Sequence, residues 1–302
     1  MTDKRDNMAT STPVGNQWLR GLYRRKDALW LAIWLGGLLT LWVWNMFFLN
    51  TPALWRIQKA FFNSLLTGSM VVVLAVGLGW ITGVMLHMLE RGEWKGVYFV
   101  ASFLTNLLRS IPQIIVVLIG YIALTILLAR EVIHSSFMQL LWIASTIAVA
   151  VFLEVADTVR ARIEYFRTLD FVDAMLCCGI SESRIINIEI LWRNSRSHLL
   201  HKMIALFGVS TFLQCSIDFI ISVGLSTDVS LSNFPLTLGS LLARLDSKQD
   251  ILAVSNLFSD PGYLPVLFVR HLQGLSVAFC IVFTLLCIYN IANGYVRRHR
   301  IA

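Results

Sequence analysis

The sequence predicts an all-α membrane protein with six transmembrane helices. Hydrophobic residues make up 57% of the 302-residue chain and charged residues only 14%, whereas soluble domains carry about 25% charged residues. The apolar residues also cluster in runs of roughly 20, the length that an α-helix needs to cross a bilayer. These runs divide the chain into a polar cytoplasmic tail at 1–27 and a transmembrane domain at 28–302.

Each predicted span is an apolar run bounded by polar residues, and the six runs cover 28–49, 63–88, 111–129, 136–153, 202–223 and 272–295. The first run has Trp-rich ends that suit interfacial aromatic belts. A short connection is expected at 50–62. The second run contains Gly79 and Gly83 in a GxxxG spacing, which permits close helix approach. The stretch before the third run is broken by "LRSIP", so 97–108 is expected to form an interfacial or re-entrant helix.

The distribution of basic residues predicts the orientation of these spans. An even number of spans places both termini on one side of the membrane. Of the 25 Lys and Arg residues, 18 lie on the proposed cytoplasmic side and 6 on the outer side, as the positive-inside rule requires. The net charge of +7 therefore follows from topology and does not call for nucleic-acid binding. We expect a multi-pass protein of the cell (inner) membrane with both termini cytoplasmic.

The loop at about 154–201 has more internal organisation than a passive connection needs. Within "DFVDAMLCCGISESRIINIEILW", residues 170–178 are predicted to form a short helix. Gly179 would end this helix by adopting the φ > 0 that a helix terminus often requires, and Ser181 is suited to cap a second helix. The apolar face of that second helix is predicted to consist of Ile185, Ile186, Ile188 and Leu191.

This stretch resembles the "EAA loop" of ABC-importer permeases. Asp173, Ala174 and Met175 stand at the E-A-A triplet, and Gly179 follows at the family's distance. Asp replaces Glu, Met replaces the second Ala, and Trp192 stands where Pro is typical. In that family the loop forms a coupling helix that sits in a groove of the ATP-hydrolysing subunit. The resemblance therefore assigns ATPase coupling to Asp173, Ala174, Met175, Gly179, Ile186 and Leu191.

Further stretches extend the resemblance over most of the chain. "LLRSIPQIIVVLIGY" is similar to the entry of the third span in dipeptide/oligopeptide permeases, and Leu238-Gly239 stand at a family Trp-Gly pair. The best fit is a divergent second permease of the dipeptide/oligopeptide/nickel family. It implies the type I ABC importer permease fold, a second homologous permease subunit, two ATP-binding subunits, an extracytoplasmic substrate-binding protein and surrounding membrane lipids. The solute would be a peptide or a similar small molecule.

The chain itself is not expected to be an enzyme or to hold a cofactor. It has no GxxxxGK[ST] phosphate loop, so ATP and Mg are expected on the partner ATPase subunits. No metal site is expected, because only His198 and His201 are close in sequence and two ligands make a poor site. The five cysteines show no metal-ligand or CxxC spacing.

Three polar residues near or within the spans are candidates for the solute pathway or its gate. Arg109 precedes the third span, where it either acts in the pathway or extends to the lipid headgroups. Asp218 lies within the fifth span with Gln214 one turn earlier. The acid either faces the pathway, pairs with a neighbouring helix, or lies near the outer interface. By contrast, Glu154, Asp157 and Arg160 are expected on a solvated face. The acidic residues of the outer loop at about 224–271 either contact a binding protein or keep the loop soluble.

Two other functions are compatible with these residues. An ion-coupled secondary transporter would need no ATPase partners, but it usually shows inverted repeats and more intramembrane charges. A membrane-embedded enzyme would need facing polar groups inside the spans, and only Asp218 and Gln214 come near that requirement.

Overall fold

The computed structural model describes residues 26–224, 234–244, 255–256, 258–265 and 272–299, and the regular structure in these ranges is entirely helical. Residues 1–25 of the predicted tail at 1–27 lie outside the described residues, and 26–27 belong to the first turn of a helix, two residues before the predicted start of the first span. In chain order the elements are α1 (Lys26–Phe48), α2 (Thr51–Arg91), α3 (Lys95–Ser110), α4 (Gln113–Ala129), α5 (Ser136–Arg167), α6 (Asp170–Cys177), α7 (Glu182–Arg184), a π-helix (Ile185–Asn194), α8 (Arg196–Gly224), α9 (Leu238–Arg244), a 3-10 turn (Pro261–Tyr263) and α10 (Leu272–His299).

Five of these helices, α1, α2, α5, α8 and α10, are long and apolar enough to cross a membrane. The pair α3–α4 meets the same criterion jointly, but its two helices are bent by 89° at a short break. Counted as one bent span, this pair brings the number of candidate spans in the described residues to six. The described part of the chain is therefore an all-α protein suited to a membrane, in agreement with its composition.

α2 begins earlier than the sequence predicts. It has 41 residues, whereas about 20 suffice to cross the hydrocarbon core. The short connection expected at 50–62 is wrong, because these residues form the first turns of the helix. Ile57 and Ala60, spaced as on one helix face, are 4% and 0% exposed and pack on α9 and α10. The charged Arg56 and Lys59 lower the local hydropathy and conceal this periodicity.

Glycines allow α2 and α5 to approach each other closely. A Cβ on Gly79 would lie 2.5 Å from the Cβ of Val155 and 2.7 Å from the carbonyl oxygen of Phe152. A Cβ on Gly83 would lie 2.9 Å from Cγ1 of Val159. The predicted GxxxG approach is therefore made within this chain, where it brings two long helices into backbone contact.

The bend between α3 and α4 follows from Pro112, which caps α4 and cannot continue the preceding helix. The predicted break at "LRSIP" is thereby confirmed. α3 buries none of its residues, and its exposed apolar side chains include Phe99, Phe103 and Leu107. An exposed apolar face on a helix that runs across its neighbour is the arrangement of an interfacial helix.

The apolar core extends from the bundle into the loop between α5 and α8. Its larger cluster joins α2, α4, α5 and α8 and continues into the π-helix. A smaller cluster joins α2, α9 and α10. α1 packs on α10, where the hydroxyl of Ser276 donates a hydrogen bond of 2.8 Å to Oδ1 of the buried Asn45. The loop is thus part of the same packed body as the spans.

We predict opposite effects for two alanine substitutions in α2. Gly79→Ala should lower the thermal stability, because its Cβ forces α2 and α5 apart and overpacking costs about 1–3 kcal/mol. Gly77→Ala is the matched control: its Cβ would have nothing within 4 Å, so only a helix-propensity gain of roughly 0.5–1 kcal/mol remains. Thermal unfolding in detergent, followed by circular dichroism, measures both. Equal melting temperatures for the two variants would contradict the α2–α5 contact.

Candidate functional site

The segment between α5 and α8 consists of two arms joined at Gly179. The first arm, α6, ends in a Schellman motif: the N–H of Ile180 donates to the carbonyl of Met175 (3.2 Å), and that of Gly179 to the carbonyl of Leu176 (2.9 Å). Gly179 has φ +78°, a conformation that costs a residue with a Cβ about 1–2 kcal/mol. The predicted glycine joint is therefore confirmed.

The second arm differs from the predicted α-helix. Ser181 is at the N-cap position but makes no side-chain capping bond, and only α7 is α-helical before the chain continues as the π-helix. In a π-helix each N–H bonds to the carbonyl five residues earlier, so residues five apart share a face. The buried positions are accordingly the pairs Ile185 with Ile190 and Ile186 with Leu191.

The predicted apolar face of this arm is wrong at one position. Ile188 is 48% exposed, whereas Ile190, which the sequence analysis omits, is fully buried. The prediction assumes the α-helical period, in which Ile185 and Ile188 lie on one face. The five-residue spacing of the apolar pairs is the signal that could have identified Ile190.

The six residues assigned to ATPase coupling fall into two groups. The exposed members are Asp173, Ala174 and Gly179. The members that pack into the chain's own core are Met175, Ile186 and Leu191. Ile186 and Leu191 are 2% and 0% exposed, so they hold the second arm against the bundle and leave the outer face of α6 as the accessible surface.

Charged side chains attach the second arm to the ends of α2 and α5. A carboxylate oxygen of Glu182 lies 3.0 Å from Nη1 of Arg167 and 4.0 Å from Nη1 of Arg91. The same Arg167 nitrogen lies 2.8 Å from Nε2 of His87. Exposed ion pairs contribute about 0–1 kcal/mol each, so this network orients the arm more than it stabilises the fold.

Two further hydrogen bonds fix the π-helix and its exit. The indole N–H of Trp80 donates to Oδ1 of Asn187 (2.8 Å). Nε of Arg162 donates to Oγ of Ser195 (3.2 Å), which is completely buried at the junction with α8. A displacement of the segment would therefore act directly on α2, α5 and α8.

Arg109 is held at the bend between α3 and α4. Its Nη2 donates to Oδ1 of Asp157 at 2.6 Å, with both side chains about half exposed. On the other side of the bend, Nε2 of Gln113 donates to Glu154 (2.9 Å), which also accepts from Nζ of Lys202 (2.6 Å). These contacts anchor the bend to α5, and α5 to α8.

α5 continues to Arg167, past residue 153 where the fourth span is predicted to end. Its continuation carries Glu154, Asp157 and Arg160, which the sequence predicts on a solvated face. They are partly exposed, yet each reaches a neighbouring element; Arg160, for example, pairs with Glu90 at 3.1 Å. The predicted helical spacing of these three residues is confirmed, but the residues that they contact lie far away in the sequence.

Asp218 is a buried carboxylate at the opposite end of the bundle. It is 3% exposed and accepts hydrogen bonds from the hydroxyl of Tyr121 on α4 (3.1 Å) and from the hydroxyl of Thr237, just before α9 (2.6 Å). Gln214 is 1% exposed, and its Nε2 has no hydrogen-bond partner among the described residues. Asp218 thus connects α8 to α4 and to the residues just before α9.

Tyr121 and Thr237 are site residues that the sequence analysis missed. Tyr121 is the polar-tipped residue within the apolar run "IIVVLIGYIALTILLA", and such an isolated hydroxyl in a span needs a partner. Thr237 begins "TLGS", a spacing typical of a helix start. Either signal indicates a polar contact without identifying Asp218 as its acceptor.

Among the described residues, no group of three or more His, Cys, Asp or Glu side chains could hold a metal ion. Compared with known proteins, the chain matches no family model and no curated protein. The geometry of the two-armed segment and of the Asp218 cluster therefore has to support any functional assignment.

We predict that Gly179→Ala loosens the two-armed segment without unfolding the bundle. A Cβ at this position would have nothing within 4 Å, so the substitution acts through the positive φ alone and costs about 1–2 kcal/mol. Amide hydrogen exchange at 170–194 should become several-fold faster. Gly96→Ala, at a site that is equally open, is the control and should not change exchange there. Unchanged protection of these amides in Gly179→Ala would show that the joint does not depend on the positive φ of Gly179.

Proposed function

We propose that the chain is a membrane-spanning permease subunit of an ABC transporter, that it forms half of a solute pathway, and that it receives mechanical work from separate ATPase subunits. One observation carries the proposal: the Gly179-jointed segment leaves the outer face of α6 exposed while its second arm is fixed to the spanning helices. An exposed short helix attached in this way is suited to bind a moving partner and transmit its displacement.

The outer face of α6 has the chemistry of a docking surface. It combines small and apolar side chains with an acidic rim. Its exposed residues are Asp170, Asp173, Ala174, Leu176 and Cys177, followed by the exposed C-cap Cys178. A partner that buries such a face gains apolar contact while the acid stays at the edge. The sequence resemblance to the coupling loop points to an ATP-hydrolysing subunit as that partner.

The contacts behind this face supply a route for the motion. Glu182 connects the second arm to Arg91 on α2 and to Arg167 on α5, and the buried isoleucines connect it to the core. Rigid elements with specific contacts carry coupling between distant sites. ATP binding and hydrolysis on the partners would thereby switch the bundle between two accessible states.

The complete transporter in this proposal has five kinds of component. The chain pairs with a second homologous permease in the type I importer arrangement, two ATP-binding subunits bind ATP and Mg, an extracytoplasmic protein delivers a peptide or similar small solute, and lipids surround the spans. Both termini are cytoplasmic in the cell (inner) membrane. The basic residues that favour this orientation include those of the segment itself, such as Arg184, Arg193 and Arg196.

One observation favours a second candidate, an ion-coupled carrier. Asp218 is a carboxylate inside a helix suited to span the membrane, and such groups often bind the coupling ion. The two candidates differ in their energy source: an ABC permease requires co-purifying ATPase subunits, whereas a carrier works without them.

We predict that the α6 tip is accessible only from the cytoplasm. Cys177 and Cys178 are exposed, whereas Cys280 and Cys287 are buried and Cys215 is partly buried. Because the proposed ATPase subunit would cover α6, the test uses inside-out vesicles stripped of their peripheral subunits. A membrane-impermeant maleimide should label these vesicles but not intact cells. The double variant Cys177→Ser/Cys178→Ser is the control and should remove the label. Labelling of intact cells would place the segment outside and contradict the proposal.

We predict that Leu176→Asp weakens binding of the ATPase subunit. Leu176 is 39% exposed, so the change is tolerated in the isolated chain. At an interface, burying an unpaired polar group costs about 1–3 kcal/mol and burying a charge costs more, so the affinity should fall roughly tenfold or more. ATPase co-purification and ATP-driven uptake measure the effect.

Ser110→Glu is the matched control, since it adds a charge at the exposed end of α3 near the same end of the bundle. It should leave both measurements unchanged. Full ATPase binding and uptake in Leu176→Asp would show that α6 is not the coupling surface.

A further inference from the structure

Residues 234–242, hereafter the plug segment, lie inside the helix bundle although the sequence assigns them to an outer loop. They include the start of α9, and most of their side chains are buried: Phe234 8%, Thr237 2%, Leu238 3%, Ser240 1% and Leu241 4% exposed. The remainder of the predicted loop is only partly described. A connection normally runs over the surface, because buried backbone groups need partners.

α2 provides partners for the backbone of the plug segment. Nδ2 of Asn63 donates to the carbonyl oxygen of Leu236 at 2.7 Å. The hydroxyl oxygen of Ser64 accepts from the N–H of Leu238 at 2.9 Å. Asn63 and Ser64 therefore satisfy the main chain where it enters α9, which lets the segment enter an apolar bundle.

α4 and α8 hold the plug segment through the Asp218 cluster. The hydroxyl of Thr237 donates to Oδ2 of Asp218, and the hydroxyl of Tyr121 donates to Oδ1. The ring of Tyr121 also stacks on Phe234, with centroids 5.9 Å apart. α2 and α8 thus contact the segment through polar side chains, and α4 contacts it through the Tyr121 ring.

The plug segment is internally rigid and fits closely against α8. Oγ1 of Thr237 accepts from the N–H of Ser240 (3.2 Å), while Oγ of Ser240 accepts from the N–H of Thr237 (2.9 Å), a reciprocal capping box. A Cβ on Gly239 would lie 2.7 Å from Cα of Cys215 and 2.7 Å from Oδ2 of Asp218. The start of α9 is therefore held by its own hydrogen bonds, and at position 239 even a methyl group would clash with α8.

We propose that the plug segment closes the solute pathway. While the segment is in place, the Thr237 hydroxyl occupies a hydrogen-bonding position on Asp218. When the segment moves out, an ammonium or hydroxyl group of the solute takes that position. This inference rests on the proposed function as a permease. A carboxylate in an apolar bundle is costly when it loses a donor, so release of the segment requires a replacement donor. A solute with a donating, preferably cationic, group supplies it.

Gln214 adds a second polar group beside the position on Asp218 that the plug segment would uncover. It lies one turn before Asp218 on α8, and its Nε2 has no hydrogen-bond partner among the described residues. A buried amide without a partner is unusual, because such groups are normally paired. Its position on the same helix face as the carboxylate gives a solute a second polar contact.

The test measures access to this position with two small thiol reagents on the purified transporter. Gln214→Cys is placed in a chain whose five native cysteines are replaced by alanine. The probes are an aminoethyl methanethiosulfonate, whose primary ammonium group donates hydrogen bonds, and a sulfonatoethyl methanethiosulfonate. Each rate is divided by the reagent's rate with a free thiol. We expect the cationic reagent to react at least about tenfold faster after this normalisation, a ratio that corresponds to 1.4 kcal/mol.

Two substitutions distinguish the effect of the plug segment on the reaction rates from the effect of the Asp218 charge. Thr237→Val removes the hydroxyl that anchors the segment and should raise the cationic rate several-fold. Asp218→Asn should bring the normalised ratio of the two reagents close to one. If Asp218→Asn does not fold, Tyr121→Phe removes the other hydroxyl donor, and it too should raise the cationic rate. Thr284→Cys is the control position, since it is 5% exposed and its hydroxyl faces Trp34 of α1; its rate should not respond to Thr237→Val.

The outcomes are distinguishable from those of the proposed function. An unchanged cationic rate in Thr237→Val, or no preference for the cationic reagent with Asp218 present, would overturn the plug inference even if ATPase subunits co-purify. Absence of ATPase subunits from the purified complex would overturn the permease proposal, while the reagent pattern would still decide whether the segment covers Asp218.

Discussion

The close packing of α2 against α5 is the contact on which the other features of the structure depend. Gly79 and Gly83 bring the two backbones together, so both helices leave the apolar region side by side. Their ends then present Arg91 and Arg167 to the same carboxylate, Glu182. Without that approach, the second arm of the segment would have no common support, and the core could not continue from the spans into the π-helix.

The two ends of the bundle use polar contacts of opposite character. At the α6 end the ion pairs are numerous and partly exposed, and each is worth about 0–1 kcal/mol. They can be exchanged at little cost as the segment shifts. At the Asp218 end the contacts are few and buried, and a donor can leave only when another replaces it. The structure therefore combines an end whose polar contacts exchange at low cost with an end whose polar contacts do not.

The sequence predicts the features that depend on local chemistry. Hydropathy identifies the candidate spans, and the joint at Gly179 follows from a glycine between two helical patterns. The predicted start of the second span is wrong because the charged residues near Ile57 and Ala60 lower the hydropathy, although the two apolar residues have the spacing of one helix face. The burial of Ile190 is missed because the prediction assumes the α-helical period; only the five-residue spacing of the apolar pairs distinguishes the ten-residue π-helix. The partners of Asp218 could not be predicted, since Tyr121 lies 97 residues away and their contact is set by tertiary packing.

The right-angle bend after α3 makes the protein sensitive to the thickness of the bilayer. α4 has 17 residues, which span about 25 Å, less than a typical hydrocarbon thickness of about 30 Å. With α4 upright, the apolar face of α3 would rest at the headgroup level. A thicker bilayer then leaves α4 too short, and the mismatch is relieved by local thinning or by strain at Pro112. The acyl-chain length of the lipid would thus determine how much strain acts on the Arg109–Asp157 pair and, through that pair, on α5.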